Sequence, residues 1–115
     1  MTPFGEKLRA LRARKGMTLK ALADHLGVSS AYLSALEHGR RGQPSWFVVQ
    51  ETISFFGVIW DEAEELQRLA RLSHPRVVVD TAGLSPRATE LANRLAREID
   101  TLPEATLTRM IALLD

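Results

Sequence analysis

A short stretch in the first half of the chain carries small hydroxyl side chains at the predicted start of a helix. A hydroxyl group and the free backbone N–H groups of a helix N-terminus can bind a phosphate or the edge of a base. A methyl group in the same turn can contact the methyl group of thymine, and a phenol adds apolar contact and a hydrogen bond. The residues expected to contact bases in this way are Ser29, Ser30, Ala31, Tyr32 and Ser34.

Basic and polar side chains lie on both sides of this stretch. Lysine and arginine bind phosphate oxygens through their charge, and threonine or glutamine can add hydrogen bonds. An arginine in a loop can instead reach a base or the edge of the minor groove, which leaves a second role open for Arg40 or Arg41. The residues expected to contact a nucleic-acid backbone are Thr18, Lys20, Arg40, Arg41 and Gln43.

The charges are distributed unevenly along the 115 residues. Residues 1–41 contain eight Lys or Arg and three Asp or Glu, which gives a net charge of +5. Residues 42–115 contain seven Arg and eleven acidic residues, which gives −4. A basic N-terminal part and an acidic C-terminal part favour one face on a polyanion and another turned away from it.

Apolar residues recur at helical spacing between Gly, Pro and capping residues, which predicts a chain of helices. For the fourth helix, the residues available for the core are Phe47, Val48, Ile53 and Phe56. The predicted helices in the first part of the chain are about 3–15, one capped by Thr18 that ends at Gly27, 29–38, 45–56 and 60–72.

The second and third helices are joined by a tight turn. Two helices that cross at a steep angle need a small residue where their backbones come closest, and Ala23 occupies that position. The connection needs a residue that tolerates positive φ, as Gly27 does at little cost. Val28, Leu33 and Leu36 can then fill the angle between the helices. This combination predicts a helix-turn-helix.

A known family shows the same combination of residues. The segment "LRALRARKGMTLKALADHLGVSSAYLSALEHGRRGQPS" has a basic first helix, Gly16 before Thr18, Leu26-Gly27-Val28-Ser29 and Leu36-Glu37. In these features residues 4–58 resemble the helix-turn-helix domain of the XRE family, which includes the phage repressors. The resemblance implies a five-helix DNA-binding fold and a homodimer on a two-fold operator, with half-sites about one helical turn apart.

The chain departs from that family at positions that commonly touch DNA. Leu19 stands where the family commonly has Gln, and Ser30 and Ala31 stand where it often has Arg, Gln or Asn. A bidentate Arg or Asn contact supplies roughly 1–3 kcal/mol of base discrimination, and the first turn of this helix has neither residue. Phosphate contacts and DNA shape are therefore expected to carry more of the binding.

Two residues of the third helix have alternative structural roles. Tyr32 can be turned partly inward as part of the core rather than toward DNA. Glu37 is expected to pair with a basic residue of the first helix, such as Arg9 or Arg12, because phosphates would repel a carboxylate.

Residues 76–115 lie outside the resemblance. Three consecutive β-branched residues, Val77 to Val79, favour a short strand, which needs a partner in this chain or in a second copy. Ser85-Pro86 and Pro103 begin two amphipathic helices whose apolar stripes need a cover. The residues expected at a dimer interface are Val77, Val78, Val79, Leu91, Leu95, Leu107 and Ile111.

These patterns predict an all-α fold: a five-helix lambda-repressor-like domain, a short strand and two C-terminal helices. The predicted domains are 1–73, which binds DNA, and 74–115, which dimerises or docks a partner. The predicted function is a sequence-specific, homodimeric transcriptional repressor that occupies double-stranded DNA through residues 29–38. The alternative is an antitoxin-like or anti-activator module whose C-terminal segment binds a partner protein.

Several classes of protein are not expected. The absence of cysteine excludes disulfides and thiolate metal sites, and the three histidines lack the spacing of metal ligands. The sequence shows no nucleophile with a base, no paired carboxylates and no phosphate-binding loop. We therefore expect neither an enzyme nor a cofactor. The apolar runs are short and the N-terminus is charged, so we expect a cytoplasmic protein without membrane contact.

Overall fold

The computed structural model describes all residues from 1 to 115 and contains seven α-helices. A single 3-10 turn, Ile99–Thr101, separates the last two. No β-strand is present. The helices are α1 (Pro3–Lys15), α2 (Leu19–Leu26), α3 (Ser30–His38), α4 (Trp46–Phe56), α5 (Trp60–Arg71), α6 (Pro86–Glu98) and α7 (Glu104–Ala112).

Hydroxyl side chains begin most of these helices. The side-chain oxygen of the residue before the helix accepts a hydrogen bond from a backbone N–H in the first turn, which would otherwise have no partner. This arrangement fixes where the chain enters each helix, and it confirms the predicted starts at Thr18, Ser29, Ser45 and Ser85. The N-cap of α1 is Thr2, whose hydroxyl accepts from the Gly5 N–H over 3.0 Å.

The chain divides into two compact units, Met1–Val77 and Val78–Asp115. In the first unit, α1 to α5 surround one apolar core. Helix α1 contacts α3 and α5, and α2 contacts α3 and α4. Because α1 packs against the end of α3, the basic N-terminal helix holds the helix-turn-helix in place. The buried apolar residues are Phe4, Leu8, Leu11, Leu22, Ala23, Leu26, Leu33, Leu36, Val48, Val49, Leu66 and Ala70.

One predicted core residue lies on the surface. Phe47 is 60% exposed, whereas Val49 and Thr52 are buried beside Val48. Helix α4 faces the core with these three residues, and Phe47 lies outside their arc. The hydroxyl of Thr52 donates to the Val48 carbonyl over 2.7 Å, so this buried hydroxyl has a hydrogen-bond partner.

The predicted strand at Val77 to Val79 is wrong. These residues are not paired with another segment, and their exposed fractions are 72%, 96% and 65%. Three β-branched residues favour extended backbone locally, but a strand also requires a neighbour that takes up its backbone hydrogen bonds. No other segment of the chain adopts an extended ladder that could serve as that neighbour.

The second unit consists of α6, the 3-10 turn and α7, and none of its residues is fully buried. Leu91 and Leu95 of α6 line an open groove of about 460 Å³ with Leu102 and Met110. Leu107 is half-buried, and Ile111 is 63% exposed. The unit therefore keeps an apolar surface uncovered.

No helix of the chain has the length and apolar character needed to cross a membrane.

Candidate nucleic-acid interface

The turn between α2 and α3 has the geometry that its residues predict. Ala23 is 1% exposed, and its carbonyl accepts from the Val28 N–H over 3.0 Å. Gly27 ends α2 with a φ of 73°, which an L side chain rarely adopts. Since no atom lies within 4 Å of a Cβ added to Gly27, backbone conformation alone accounts for glycine there. The turn fixes α3 across α2.

The C-terminal end of α3 is anchored to the first turn of α1. The Thr2 N–H donates to the Glu37 carbonyl over 2.9 Å. Gly5 lies so close that an added Cβ would be 2.3 Å from the same carbonyl oxygen and 2.6 Å from the Cα of Glu37. The backbones of α1 and α3 therefore touch at a point where only glycine fits.

A buried ion pair holds the same end of α3. Glu37 is 2% exposed, and Arg12 Nη2 donates to both of its carboxylate oxygens, over 3.2 and 3.1 Å. This confirms the pairing of Glu37 with the first helix and selects Arg12 over Arg9. The pair orients both side chains and removes the Glu37 charge from the surface that faces solvent.

The N-terminal end of α3 is free. Ser29, Ser30 and Ala31 are exposed, and Tyr32 and Ser34 are half-buried. The Ser29 hydroxyl already accepts from the Tyr32 N–H over 3.0 Å. Tyr32 packs against the edge of the core, as the alternative role for this residue anticipated. The first turn of α3 therefore keeps Ser29, Ser30 and Ala31 on the surface, while the other end of the helix is anchored to α1.

The five residues predicted to contact a nucleic-acid backbone are also on the surface. Thr18 caps α2 through a hydrogen bond from the Ala21 N–H over 3.1 Å, and Lys20 follows in the first turn. Residues Arg40, Arg41 and Gln43 are exposed in the loop between α3 and α4. Helix α3 and its loop thus carry eight of the ten predicted contact residues, and α2 carries the other two.

The basic residues of the N-terminal part differ in whether a carboxylate neutralises them. Arg14 Nη1 lies 2.7 Å from Glu62 Oε1, and Lys7 lies 3.9 Å from the same atom. Lys15 lies over the Phe55 ring, 4.9 Å from its centroid. No carboxylate lies within ion-pair distance of five cations, which are Arg9, Lys15, Lys20, Arg40 and Arg41. Three of these five are among the predicted contact residues.

One of the loop cations reaches back along α3. The guanidinium carbon of Arg41 lies over the ring of Tyr32, 5.5 Å from its centroid. Tyr32 belongs to the first turn of α3, whereas Arg41 follows its last residue. The guanidinium therefore lies against a side chain of the first turn of α3.

Two features of this surface were not predicted from the sequence. Neither Thr2 nor Gly5 was assigned a role, although both contact the backbone of Glu37. A threonine before proline is a recognisable helix start, so Thr2 had a local signal. Gly5 had none, since a glycine within a helix is unfavourable by itself and only the approach of α3 explains it.

Comparison with known proteins agrees with this geometry. Residues 3–66 match a family model described as a helix-turn-helix domain. The chain is similar to an uncharacterized HTH-type transcriptional regulator, RghRB of Bacillus subtilis strain 168, with 48% identity over 44 residues. It is also similar to the HTH-type transcriptional repressor RghR of the same strain, with 50% identity over 44 residues.

Both similarities are confined to one segment. The matched residues are 38% of this chain, and they are 32% of RghRB and 33% of RghR. The match therefore spans about a third of the length of each relative. No solved structure matches the chain.

Proposed function

The chain belongs to the helix-turn-helix domain family, and from this premise we propose that it binds double-stranded DNA as a transcriptional regulator. This membership confirms the family-level assignment made from the sequence. Regulators with this domain are in general not enzymes, which agrees with the prediction that the chain has no catalytic activity. Within the family, the proposed subgroup is XRE, and the proposed place of action is the cytoplasm.

The contrast between the two ends of α3 carries the proposal. The C-terminal end is pinned to α1 by the Arg12 and Glu37 pair, while the N-terminal end is exposed and bears no acidic side chain. One cation without a carboxylate partner, Arg41, lies over the ring of Tyr32 in the first turn of α3. A helix with these properties can enter the major groove while basic residues beside it bind phosphates. In this arrangement the residues that face the bases are Ser29, Ser30, Ala31, Tyr32 and Ser34, and those that hold the DNA beside them are Thr18, Lys20, Arg40, Arg41 and Gln43.

Two further proposals are that the protein represses transcription and that it is a homodimer. RghR is named a repressor, and a protein that occupies a promoter through α3 would block transcription in the same way. We assign a homodimer to the uncovered groove of α6 and α7, because its apolar floor is bordered by Arg87 and Arg94 and by Glu90 and Glu98. Charges of both signs on one face can pair with those of a second copy across a two-fold axis.

A salt titration tests DNA binding directly. The full-length protein is mixed with a labelled random duplex and with the DNA upstream of its own coding region, at salt concentrations from about 50 to 200 mM. The logarithm of the affinity should fall linearly with the logarithm of salt, with a slope of roughly −0.9 for each neutralised phosphate. Footprinting of the upstream DNA should show two half-sites about one helical turn apart.

Substitution of two cations that have no carboxylate partner tests whether they belong to the DNA-binding surface. Lys20→Ala with Arg40→Ala should make the slope shallower by about 2 and weaken binding to all sequences alike. The matched control is Arg68→Ala with Arg71→Ala, which removes two exposed arginines from α5. A folded protein that binds neither duplex at the lowest salt concentration would contradict the proposed function.

A further inference from the structure

The contact between Arg41 and Tyr32 gives a loop arginine a specific role. We propose that Tyr32 holds the Arg41 guanidinium beside the first turn of α3, where it reads a guanine in the major groove. The inference rests on the proposed DNA binding and refines it, because Arg41 then contacts a base rather than the backbone. Tyr32 is the positioning residue and Arg41 is the specificity-determining one.

The first observation is what the first turn of α3 lacks. Ser30 and Ala31 are exposed there but too short to span both acceptors of a guanine, and no residue of this turn carries a forked pair of donors. Arginine has such a fork and forms the commonest specific contact with the O6 and N7 atoms of guanine. A guanidinium placed beside this turn supplies the missing group.

The second observation is how Arg41 is held. Its guanidinium has no carboxylate partner, and its carbon lies 5.5 Å from the centroid of the Tyr32 ring, within the range of a cation–π contact. Tyr32 is itself fixed, because its ring packs against the core and its N–H donates to the Ser29 hydroxyl. A long, flexible side chain thus rests on an anchored aromatic ring, which lowers the entropy that it loses when it binds a base.

The neighbouring arginine provides a natural contrast. The Arg40 N–H donates to the Ala35 carbonyl over 2.9 Å as part of the end of α3, but its side chain contacts neither an aromatic ring nor a carboxylate. An exposed cation of this kind binds phosphates without a sequence preference. The two adjacent arginines therefore have different roles, since Arg40 contributes affinity and Arg41 contributes specificity.

Sequence selection with variants separates these two roles. The bound sequence is selected from a random duplex library for the wild type and for Arg41→Ala, Arg41→Lys, Tyr32→Leu, Tyr32→Phe and Arg40→Ala. In Arg41→Ala, the preference for guanine at one position of each half-site should fall by roughly 5- to 150-fold. Arg41→Lys should lose most of the same preference, because lysine lacks the fork.

The tyrosine variants test the positioning role. Tyr32→Leu keeps an apolar side chain against the core and should reduce the preference at the same position by about 2- to 5-fold. Tyr32→Phe keeps the ring that holds Arg41 and should retain the guanine preference at this position, although the loss of the phenol hydroxyl can lower the overall affinity. In a protein that already carries Arg41→Ala, adding Tyr32→Leu should not lower the guanine preference at that position any further. This result would show that Tyr32 acts through Arg41.

The outcomes distinguish this inference from DNA binding itself. Arg40→Ala should weaken binding to all sequences equally and leave the selected sequence unchanged. If Arg41→Ala behaves like Arg40→Ala, or if Tyr32→Leu leaves the guanine preference at the Arg41 position unchanged, the inference is wrong although the protein still binds DNA. If the wild type selects no sequence and shows no salt-dependent binding, it is the proposed function that fails.

Discussion

At the scale of single residues, the position of α3 depends on contacts made by one glycine and one glutamate. Gly5 is the point at which the α1 backbone meets the α3 backbone, and Glu37 is the residue met there. The same glutamate forms the buried pair with Arg12, whose Nε has no hydrogen-bond partner. These contacts lie at the opposite end of α3 from the residues proposed to contact bases, and they hold the helix that carries those residues.

Replacing Gly5 should destabilise the fold. In Gly5→Ala the new methyl group would overlap the Glu37 carbonyl, and neither backbone can move without opening the core. Alanine favours a helix by about 1 kcal/mol over glycine, but the overlap should outweigh this gain. The expected loss in the free energy of unfolding is about 1–3 kcal/mol, measured by urea denaturation.

Gly42→Ala is the matched control, because nothing lies within 4 Å of an added Cβ there and its φ is not positive. Its unfolding free energy should stay within about 0.5 kcal/mol of the wild type. Equal stability of the two variants would show that α1 and α3 do not approach as described.

Removing the charge of Glu37 should also be costly. Glu37→Gln keeps the shape of the side chain but leaves the Arg12 guanidinium, whose side chain is 13% exposed, without its counter-charge. The expected loss is about 3 kcal/mol of unfolding free energy, by the same urea measurement.

The control for this variant is Glu62→Gln, which breaks the pair with Arg14, a side chain that is 58% exposed, and the longer 3.9 Å contact with Lys7. That change should cost less than about 1 kcal/mol, because water screens an exposed pair. A Glu37→Gln protein as stable as Glu62→Gln would show that the buried pair contributes little to holding α3.

At the scale of helices, the start of α3 combines a structural hydroxyl with one that is free. Ser29 is the N-cap and its oxygen accepts from the Tyr32 N–H. Ser30 is the first helical residue, and its side chain has no hydrogen bond within the protein. Adjacent serines of the same size therefore allow the capping role and the proposed contact role to be measured separately.

Alanine at these two positions should give opposite patterns. Ser29→Ala should lower the unfolding free energy by about 1 kcal/mol, because α3 loses its cap. Ser30→Ala should leave stability within about 0.5 kcal/mol of the wild type but weaken binding to the operator. Thermal unfolding and a binding titration on the same samples check both. A Ser30→Ala protein with unchanged operator affinity would remove Ser30 from the interface.

At the scale of the whole molecule, each compact unit has its own chemistry. The unit Met1–Val77 buries its apolar residues and carries the proposed DNA surface. The unit Val78–Asp115 buries no residue fully, although α6 and α7 are both amphipathic. A hydrogen bond and the charge of Glu98, with the charge of Glu90, raise the pKa of the exposed Arg94 guanidinium above its ordinary value. The Arg94 guanidinium thus keeps its positive charge on the border of the groove.

A second copy is the occupant that we propose for that groove. Leu91→Asp with Leu95→Asp places two carboxylates on its floor, so the protein should change from a dimer to a monomer in sedimentation equilibrium. Both residues lie on an open groove, so the helices should remain, and the far-ultraviolet circular dichroism reports them. Operator affinity should fall as well, because a monomer contacts one half-site.

The control is Ala96→Asp, which adds a carboxylate to an exposed position of α6 outside the groove. This variant should remain dimeric. A wild-type protein that is monomeric at all concentrations would contradict the homodimer, and a dimeric Leu91→Asp, Leu95→Asp protein would exclude the groove as its interface.

The sequence by itself determined the helices and the turn between α2 and α3. Their signals are local, because a hydroxyl cap or a glycine with positive φ acts within a few residues of its own position. The sequence also predicted that Glu37 pairs with a basic residue of the first helix, but the structure selected Arg12 over Arg9. The resemblance carried by the turn was enough to assign the family.

The tertiary structure decided what depends on distant parts of the chain. Val77 to Val79 have strand propensity but no partner, so they form no strand. Phe47 has an apolar side chain, as a core residue would, but it lies outside the buried face of α4. Gly5 and the contact of Arg41 with Tyr32 had no signal along the chain, because both arise where separate segments meet. Propensity is a property of a segment, whereas burial and contact require a neighbour that only folding supplies.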